Sequence, residues 1–133
     1  MEIREYTEFC PEEILPLYEA VGWTNYTERT GMLEQAYRHS LCVLGAYEEG
    51  RLVGIVRAVG DGCSIVFIQD IVVLPEYQRR GIGTKLLTAV TDRYSTAYQT
   101  ELLTDNTEKT KAFYKAAGFV PADELGCLSF IRM

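Results

Sequence analysis

The residues best able to do chemistry gather in one segment, Gln78-Arg79-Arg80-Gly81-Ile82-Gly83-Thr84-Lys85, just past an apolar run that Pro75 stops. Glycines at 81 and 83 remove the Cβ atoms that would hold an anion away from the backbone. The amphipathic run after them predicts a helix whose first N–H groups and dipole point back at the loop. Arg79 and Arg80 concentrate positive charge there, in a chain whose formal net charge is −6. This chemistry suits a pyrophosphate or a ribose phosphate; alone, a G-x-G pair before a helix is a weak signal and reads more readily as a structural turn. A dinucleotide fingerprint needs a third glycine where Leu86 stands, and a P-loop needs Gly-Lys-Ser/Thr where the order is Gly83-Thr84-Lys85. Both fail.

Asp70 is the second notable residue, a carboxyl set inside the apolar run Ile65–Leu74. Burial would raise its pKa toward a range useful to a general base. Alternatively it pairs with an arginine such as Arg57. His39 has no second catalytic partner in view and reads as a helix C-terminal residue favoured by the dipole. Cys63 and Cys127 could in principle form a covalent intermediate, though a one-step reaction needs neither.

The elements that must position these residues follow from periodicity. Glu2 to Thr7 reads as an opening strand. Residues 12–21 put Ile14, Leu15, Leu17, Tyr18 and Val21 on one helical face, with Pro16 as a kink or first-turn residue. A second helix is expected from about Thr27 to His39, burying Met32, Leu33, Ala36 and Tyr37. Strands at 41–47 and 52–59 flank the hairpin signal Glu48-Glu49-Gly50-Arg51. Gly60-Asp61-Gly62 makes a second turn, and the strongest strand runs from Ile65 to Leu74. A helix over 83–94 turns Ile82, Leu86, Leu87 and Val90 to the core. A strand at 100–104, a helix at 107–117 with Gly118 as its cap, and short strands near Phe119 and at 128–131 complete an α/β domain with a mixed sheet.

At 133 residues the chain fits one domain, 1–133, and is long enough to bury a core without a staple. The four scattered cysteines form no C-x-x-C pair and read as reduced thiols of a cytoplasmic protein. With His39 as the one histidine, a metal site is not expected. The start Met1-Glu2-Ile3-Arg4-Glu5 is not a signal peptide, and no apolar run approaches a membrane span. Net negative charge argues against nucleic acid and suits a cationic partner such as an amine, or plain solubility.

Gln78-Arg79-Arg80-Gly81-Ile82-Gly83 resembles the Q/R-x-x-G-x-G/A acyl-CoA signature of the GNAT N-acetyltransferase superfamily. Phe113-Tyr114-Lys115-Ala116-Ala117-Gly118-Phe119 resembles its second landmark, a helix-borne tyrosine shortly before Gly-Phe. The stretches Gly22-Trp23-Thr24-Asn25-Tyr26 and 52–62 look like those of small bacterial acetyltransferases and plant arylalkylamine acetyltransferases. The resemblance implies a mostly antiparallel sheet splayed in the middle, flanked by about four helices. It implies acetyl-CoA as co-substrate and an amine of a small molecule or protein as acceptor. The loop residues Gln78 to Thr84, Ile82 included, would hold the cofactor phosphates, and backbone at Ile71, Val72 and Val73 would pair with pantetheine. The N–H near Val73 would polarise the thioester carbonyl. An asparagine often stands seven residues before the tyrosine; here that place is Thr107, and Asn106 beside it is the corresponding contact. Trp23 and Tyr26 lie where the acceptor enters, and would line its pocket or pack the core. Tyr114 would protonate the departing CoA thiolate, and Asp70 would take the proton that the amine must lose. An acyl-CoA-binding sensor without turnover is the alternative. Such proteins are commonly homodimers, which nothing in the sequence fixes.

Overall fold

Residues rich in Val, Ile and Leu between Cys42 and Val73 build the middle of a sheet. The computed structural model describes residues 1–133, which form two compact units, Met1–Leu103 and Thr104–Met133. The first holds a five-stranded sheet of β1 (Glu2–Glu5), β2 (Cys42–Glu48), β3 (Arg51–Gly60), β4 (Ile65–Val73) and β5 (Gln99–Leu102), in that spatial order. Neighbours pair antiparallel from β1 through β4, and β4 pairs parallel with β5.

The two tight turns explain the antiparallel part. Glu49 and Gly50 both take positive φ, 49° and 80°, as a two-residue hairpin of matching twist requires. Between β3 and β4 the Asp61 carboxylate accepts the N–H groups of Cys63, Ser64 and Ile65 at 2.8, 2.7 and 3.1 Å. Gly60 admits no side chain there, because a Cβ would stand 2.4 Å from the Ile65 carbonyl oxygen.

A parallel neighbour demands a crossover, and helix α4 (Ile82–Arg93) supplies it between β4 and β5. Ile82, Leu86, Leu87 and Val90 are its buried residues, the four that the helical period selects. Helix α1 (Pro11–Ala20) packs on β3 and β4 through Ile14, Leu17 and Tyr18, and Pro16 lies inside it on the exposed side. Leu86 of α4 approaches Gly54, which pairs with Val73, whereas Tyr18 of α1 bonds to Asp70. Asp70 and Val73 are three positions apart along the strand, an odd offset, so the two helices cover opposite faces of β4.

The expected helix over 27–39 starts later, as α3 (Thr30–Arg38), and a separate short helix, α2 (Thr24–Thr27), precedes it. Arg29 breaks them with non-helical backbone, φ −131° and ψ 57°. Leu33 and Tyr37 are buried as expected, one turn apart, but Met32 lies off that narrow stripe and is exposed.

In the second unit, α5 (Glu108–Ala116) begins where Thr107 Oγ1 accepts the Thr110 N–H at 3.2 Å. It ends at Gly118, φ 92°, with Gly118 N–H donating to Lys115 O and Phe119 N–H to Tyr114 O, both at 3.0 Å. The strands expected near Phe119 and at 128–131 are not formed. Phe119 spends its N–H closing the helix, Pro121 has none, and residues 122–125 wind into a 3₁₀ turn. Leu128, Phe130 and Ile131 are exposed.

Candidate functional site

Asp70 is the hub of a buried hydrogen-bond network. Its Oδ2 accepts from Arg57 Nε at 2.7 Å and from the Tyr18 hydroxyl at 2.9 Å, and its Oδ1 from the Tyr26 hydroxyl at 3.0 Å. Both charged residues are nearly out of water, 2% exposed for Asp70 and 4% for Arg57. The Tyr18 and Tyr37 hydroxyls stand 3.0 Å apart. Since Tyr18 gives its proton to Asp70, Tyr37 is the donor of that pair. Burial raises the pKa of the Tyr18, Tyr37 and Tyr26 hydroxyls, and nearby Asp70 raises each further, so all three are protonated donors. Burial is the largest influence on Arg57 and lowers its pKa; the Asp70 charge, the Asp70 hydrogen bond and the nearby Tyr18 and Tyr26 together outweigh it, and the net shift is upward.

A β-bulge shapes this hub. Arg57 pairs with Asp70 but Ala58 with Ile68, which leaves Gln69 as the extra residue on β4. The kink lets both neighbours reach one tyrosine: Gln69 Nε2 donates to the Tyr26 oxygen at 3.4 Å, and Asp70 accepts from it. Trp23 and Tyr26, both half-buried, close over buried Tyr18 with ring centroids 5.8 and 5.1 Å from it. Gly22 makes this possible. At φ 80° it ends α1 so that Trp23 N–H reaches Tyr18 O at 2.9 Å, which folds the indole back onto that ring.

Farther along β4 the sheet opens. The pairing with β5 ends at Ile68 and Leu102, while β4 runs on to Val73. Leu74 N–H donates to Val53 O at 2.9 Å, so by alternation Val72 and Asp70 bond to β3, and the backbone of Ile71 and Val73 points to the open side. Gln78 Nε2 meets the Val73 carbonyl there, at 3.0 Å.

Past the 3₁₀ turn Pro75–Tyr77 comes the exposed loop. Arg79 has φ 65° and Gly81 φ 79°, left-handed conformations that turn successive N–H groups into one concavity. The first backbone bond into α4 is Lys85 N–H to Gly81 O, and no side chain caps the N–H groups of Ile82, Gly83 and Thr84. Nothing lies within 4 Å of a Cβ built on Gly81. Arg80 stacks over Tyr77, 5.0 Å from the ring centre. An uncapped twelve-residue helix with arginines at its mouth fits a phosphate group.

In the second unit Tyr114 is half-buried on α5, 4.9 Å from the Phe113 ring and 6.0 Å from Phe119. Burial raises its pKa, against a smaller pull from a hydrogen bond with Thr104. Asn106 is exposed just before the helix cap.

Of the residues singled out in the sequence, the structure brings Asp70, Tyr26 and Trp23 together, and Gln78 to Val73. Tyr18 and Tyr37 were legible only as core positions. A tyrosine on the buried face of a helix must still find a partner for its hydroxyl, and two such tyrosines beside a buried aspartate were the available signal.

The Acetyltransferase (GNAT) domain model matches residues 39–121, more than half of the chain. No curated protein matches it. Among solved structures, a GNAT-family acetyltransferase from Streptococcus pneumoniae TIGR4 is 42% identical with TM-score 0.87, over 99% of this chain and 95% of that one. AAC(6')-Iy, solved with a bisubstrate analogue, CoA-S-monomethyl-acetylneamine, is 21% identical with TM-score 0.75, over 99% and 97%. An aminoglycoside acetyltransferase from an uncultured soil metagenomic sample, in complex with sisomicin, is 18% identical with TM-score 0.71, over 99% and 95%. Sequence and fold thus agree with the loop and the opened strand, and this chain belongs to the GNAT family of acetyltransferases.

Proposed function

We propose that the protein moves an acetyl group from acetyl-CoA to a primary amine of a small molecule or protein, by direct attack and within one catalytic domain spanning residues 1–133. The carrying observation is that β4 loses its β5 partner after Ile68 and leaves the Ile71 backbone and the Val73 N–H without a strand partner just before the arginine–glycine loop, with only Gln78 on the Val73 carbonyl. Gln78, Arg79, Arg80, Gly81, Ile82, Gly83 and Thr84 hold the cofactor phosphates, by backbone N–H groups and guanidinium charge. Pantetheine pairs along Ile71, Val72 and Val73, and Asn106 adds a contact. The Val73 N–H donates to the thioester oxygen as negative charge grows on it.

The acceptor enters beside Trp23 and Tyr26, whose ring faces favour an amine's positive charge. Asp70 is the base. Tyr114, a phenol that is protonated at neutral pH, donates to the sulfur as CoA leaves. The four cysteines are all free thiols, as suits work in the cytoplasm. No helix is long and apolar enough to cross a membrane.

The test is release of free CoA thiol from acetyl-CoA against primary amines: phenethylamine, spermidine, neamine, amino acids and N-terminal peptides. Thiol release that depends on one class supports the reading. Tight acetyl-CoA binding with no thiol release against any of them favours a sensor instead. Gly81→Val and Gly83→Val should weaken acetyl-CoA binding tenfold or more, about 1.4 kcal/mol; unchanged affinity in both folded variants removes this loop from the site.

A further inference from the structure

Asp70 cannot meet an amine directly. Its side chain is 1% exposed, and its two oxygens are unequally engaged. Oδ2 already accepts from Arg57 and from Tyr18, whereas Oδ1 accepts only from Tyr26. The better proton acceptor is therefore Oδ1, and its one hydrogen-bond partner is the half-buried Tyr26 hydroxyl.

That hydroxyl is already polarised in one direction. Its proton points at Asp70, and one lone pair of its oxygen takes the Gln69 amide at 3.4 Å. The other lone pair can accept from an N–H outside the network. The geometry points to Tyr26 as the group that receives the proton from the acceptor ammonium and hands its own proton to Asp70 Oδ1. This rests on the functional reading above and adds a catalytic residue to it.

The exchange balances. The ammonium N–H bond breaks as a bond forms to the Tyr26 oxygen; the original Tyr26 O–H bond breaks as one forms to Oδ1. Tyrosine begins and ends neutral, so no tyrosinate of raised pKa has to exist. Total charge is unchanged, since the positive charge leaves the amine and reappears as Arg57 freed from its counter-ion. After the product leaves, the reverse order returns the proton to water through Tyr26. The bulge is what allows this, because it places Gln69 and Asp70 on the same hydroxyl.

Titratable and charged groups face Asp70 from four elements: Arg57 on β3, Tyr18 on α1, Tyr26 on α2, and Tyr37 on α3 behind Tyr18. A pH profile must be read against all of them, so the decisive comparison is between variants. Using the best acceptor among phenethylamine, spermidine and neamine, we expect Tyr26→Phe to lower kcat/KM for the amine by roughly 10²-fold near neutral pH, with acetyl-CoA affinity unchanged. The deficit should shrink as pH rises toward the pKa of the amine, because free amine needs no base. Asp70→Asn should behave alike, and Tyr26→Phe/Asp70→Asn should be little worse than either single variant, as for groups that act as one unit. Tyr26→Phe that keeps the parent kcat/KM and pH profile overturns the relay, as do single effects that multiply in the double variant. A parent that binds acetyl-CoA and acetylates no amine overturns the functional reading itself.

Discussion

Arg57 on β3 reaches Asp70 on β4 through Nε at 2.7 Å, directly across the antiparallel pair, with side chains 5% and 1% exposed. Four further hydroxyls complete the network, those of Tyr18 and Tyr26 on Asp70, of Tyr37 through Tyr18, and of Ser40, which accepts from Arg57 Nη1 at 3.4 Å, and no buried side-chain nitrogen or oxygen is left without a partner. Such a pair stabilises little compared with apolar packing, yet losing one member strands a charge in the core. Arg57→Met should therefore destabilise the fold by about 3–5 kcal/mol. Adding Asp70→Asn should restore part of the loss, so that the two changes together cost less than the sum of the singles by about 1.5 kcal/mol or more. Urea denaturation of the four proteins measures this, and strict additivity would show that the pair is not coupled.

Tyr114→Phe removes only a hydroxyl from α5. Turnover should fall by roughly 10²-fold while acetyl-CoA affinity and melting temperature hold. A variant within about twofold of the parent at saturating substrates, with chemistry limiting the rate, would remove Tyr114 from the role of acid.

Arg79 stands at φ 65°, a left-handed conformation that costs a residue with a Cβ about 1–2 kcal/mol. Glycine relieves that strain but adds about 0.4–1 kcal/mol of unfolded-chain entropy. Arg79→Gly should thus be stabilised by up to about 1 kcal/mol and yet bind acetyl-CoA several-fold more weakly. Arg79→Lys, which keeps the charge, should retain most of the affinity and none of the stability gain. Calorimetric melting and a binding titration read the two effects separately; loss of stability in Arg79→Gly contradicts the assignment of strain.

The Asp61 carboxylate is held well below the usual range, first by the Ser64 hydroxyl and then by the N–H groups of Cys63, Ile65 and Ser64. A depressed folded pKa means that the unfolded chain takes up its proton first as acid is added. Its stabilisation is therefore complete above the ordinary Asp value of about 4 and is lost as pH falls through the folded value. Parent and Asp61→Ala should differ in melting temperature at pH 7 and converge progressively below pH ~4. A gap that stays constant down to the lowest pH at which both fold would mean the turn does not depend on the charge.

The loop and the site differ in how plainly the sequence displays them. Arg79, Gly81 and Gly83 are neighbours, and the left-handed turns at Arg79 and Gly81 are local, so the shape of this loop could be read directly. Ile82, Leu86, Leu87 and Val90 likewise announce one helix face. Tyr18, Tyr26, Tyr37, Arg57 and Asp70 come from five different elements, and only the register of β3 on β4, with its bulge, brings them to one point. The strands expected at Phe119 and 128–131 failed for a related reason. Alternation such as Leu128-Ser129-Phe130 is local, but a ladder needs a partner, and local hydrogen bonds claimed the Phe119 backbone first. The single helix over 27–39 missed the break at Arg29, where nothing in composition marks the stop.

Trp23 is the chain's one tryptophan, and the Gly22 turn lays it against Tyr18 and beside Tyr26, 6.3 Å from that ring. Every photon of indole emission therefore originates at the mouth of the aromatic cluster. Ligands that settle next to Tyr26 must alter the polarity around that single fluorophore, so acceptors can be ranked by tryptophan emission without labels, coupled enzymes or acetyl-CoA in the cuvette.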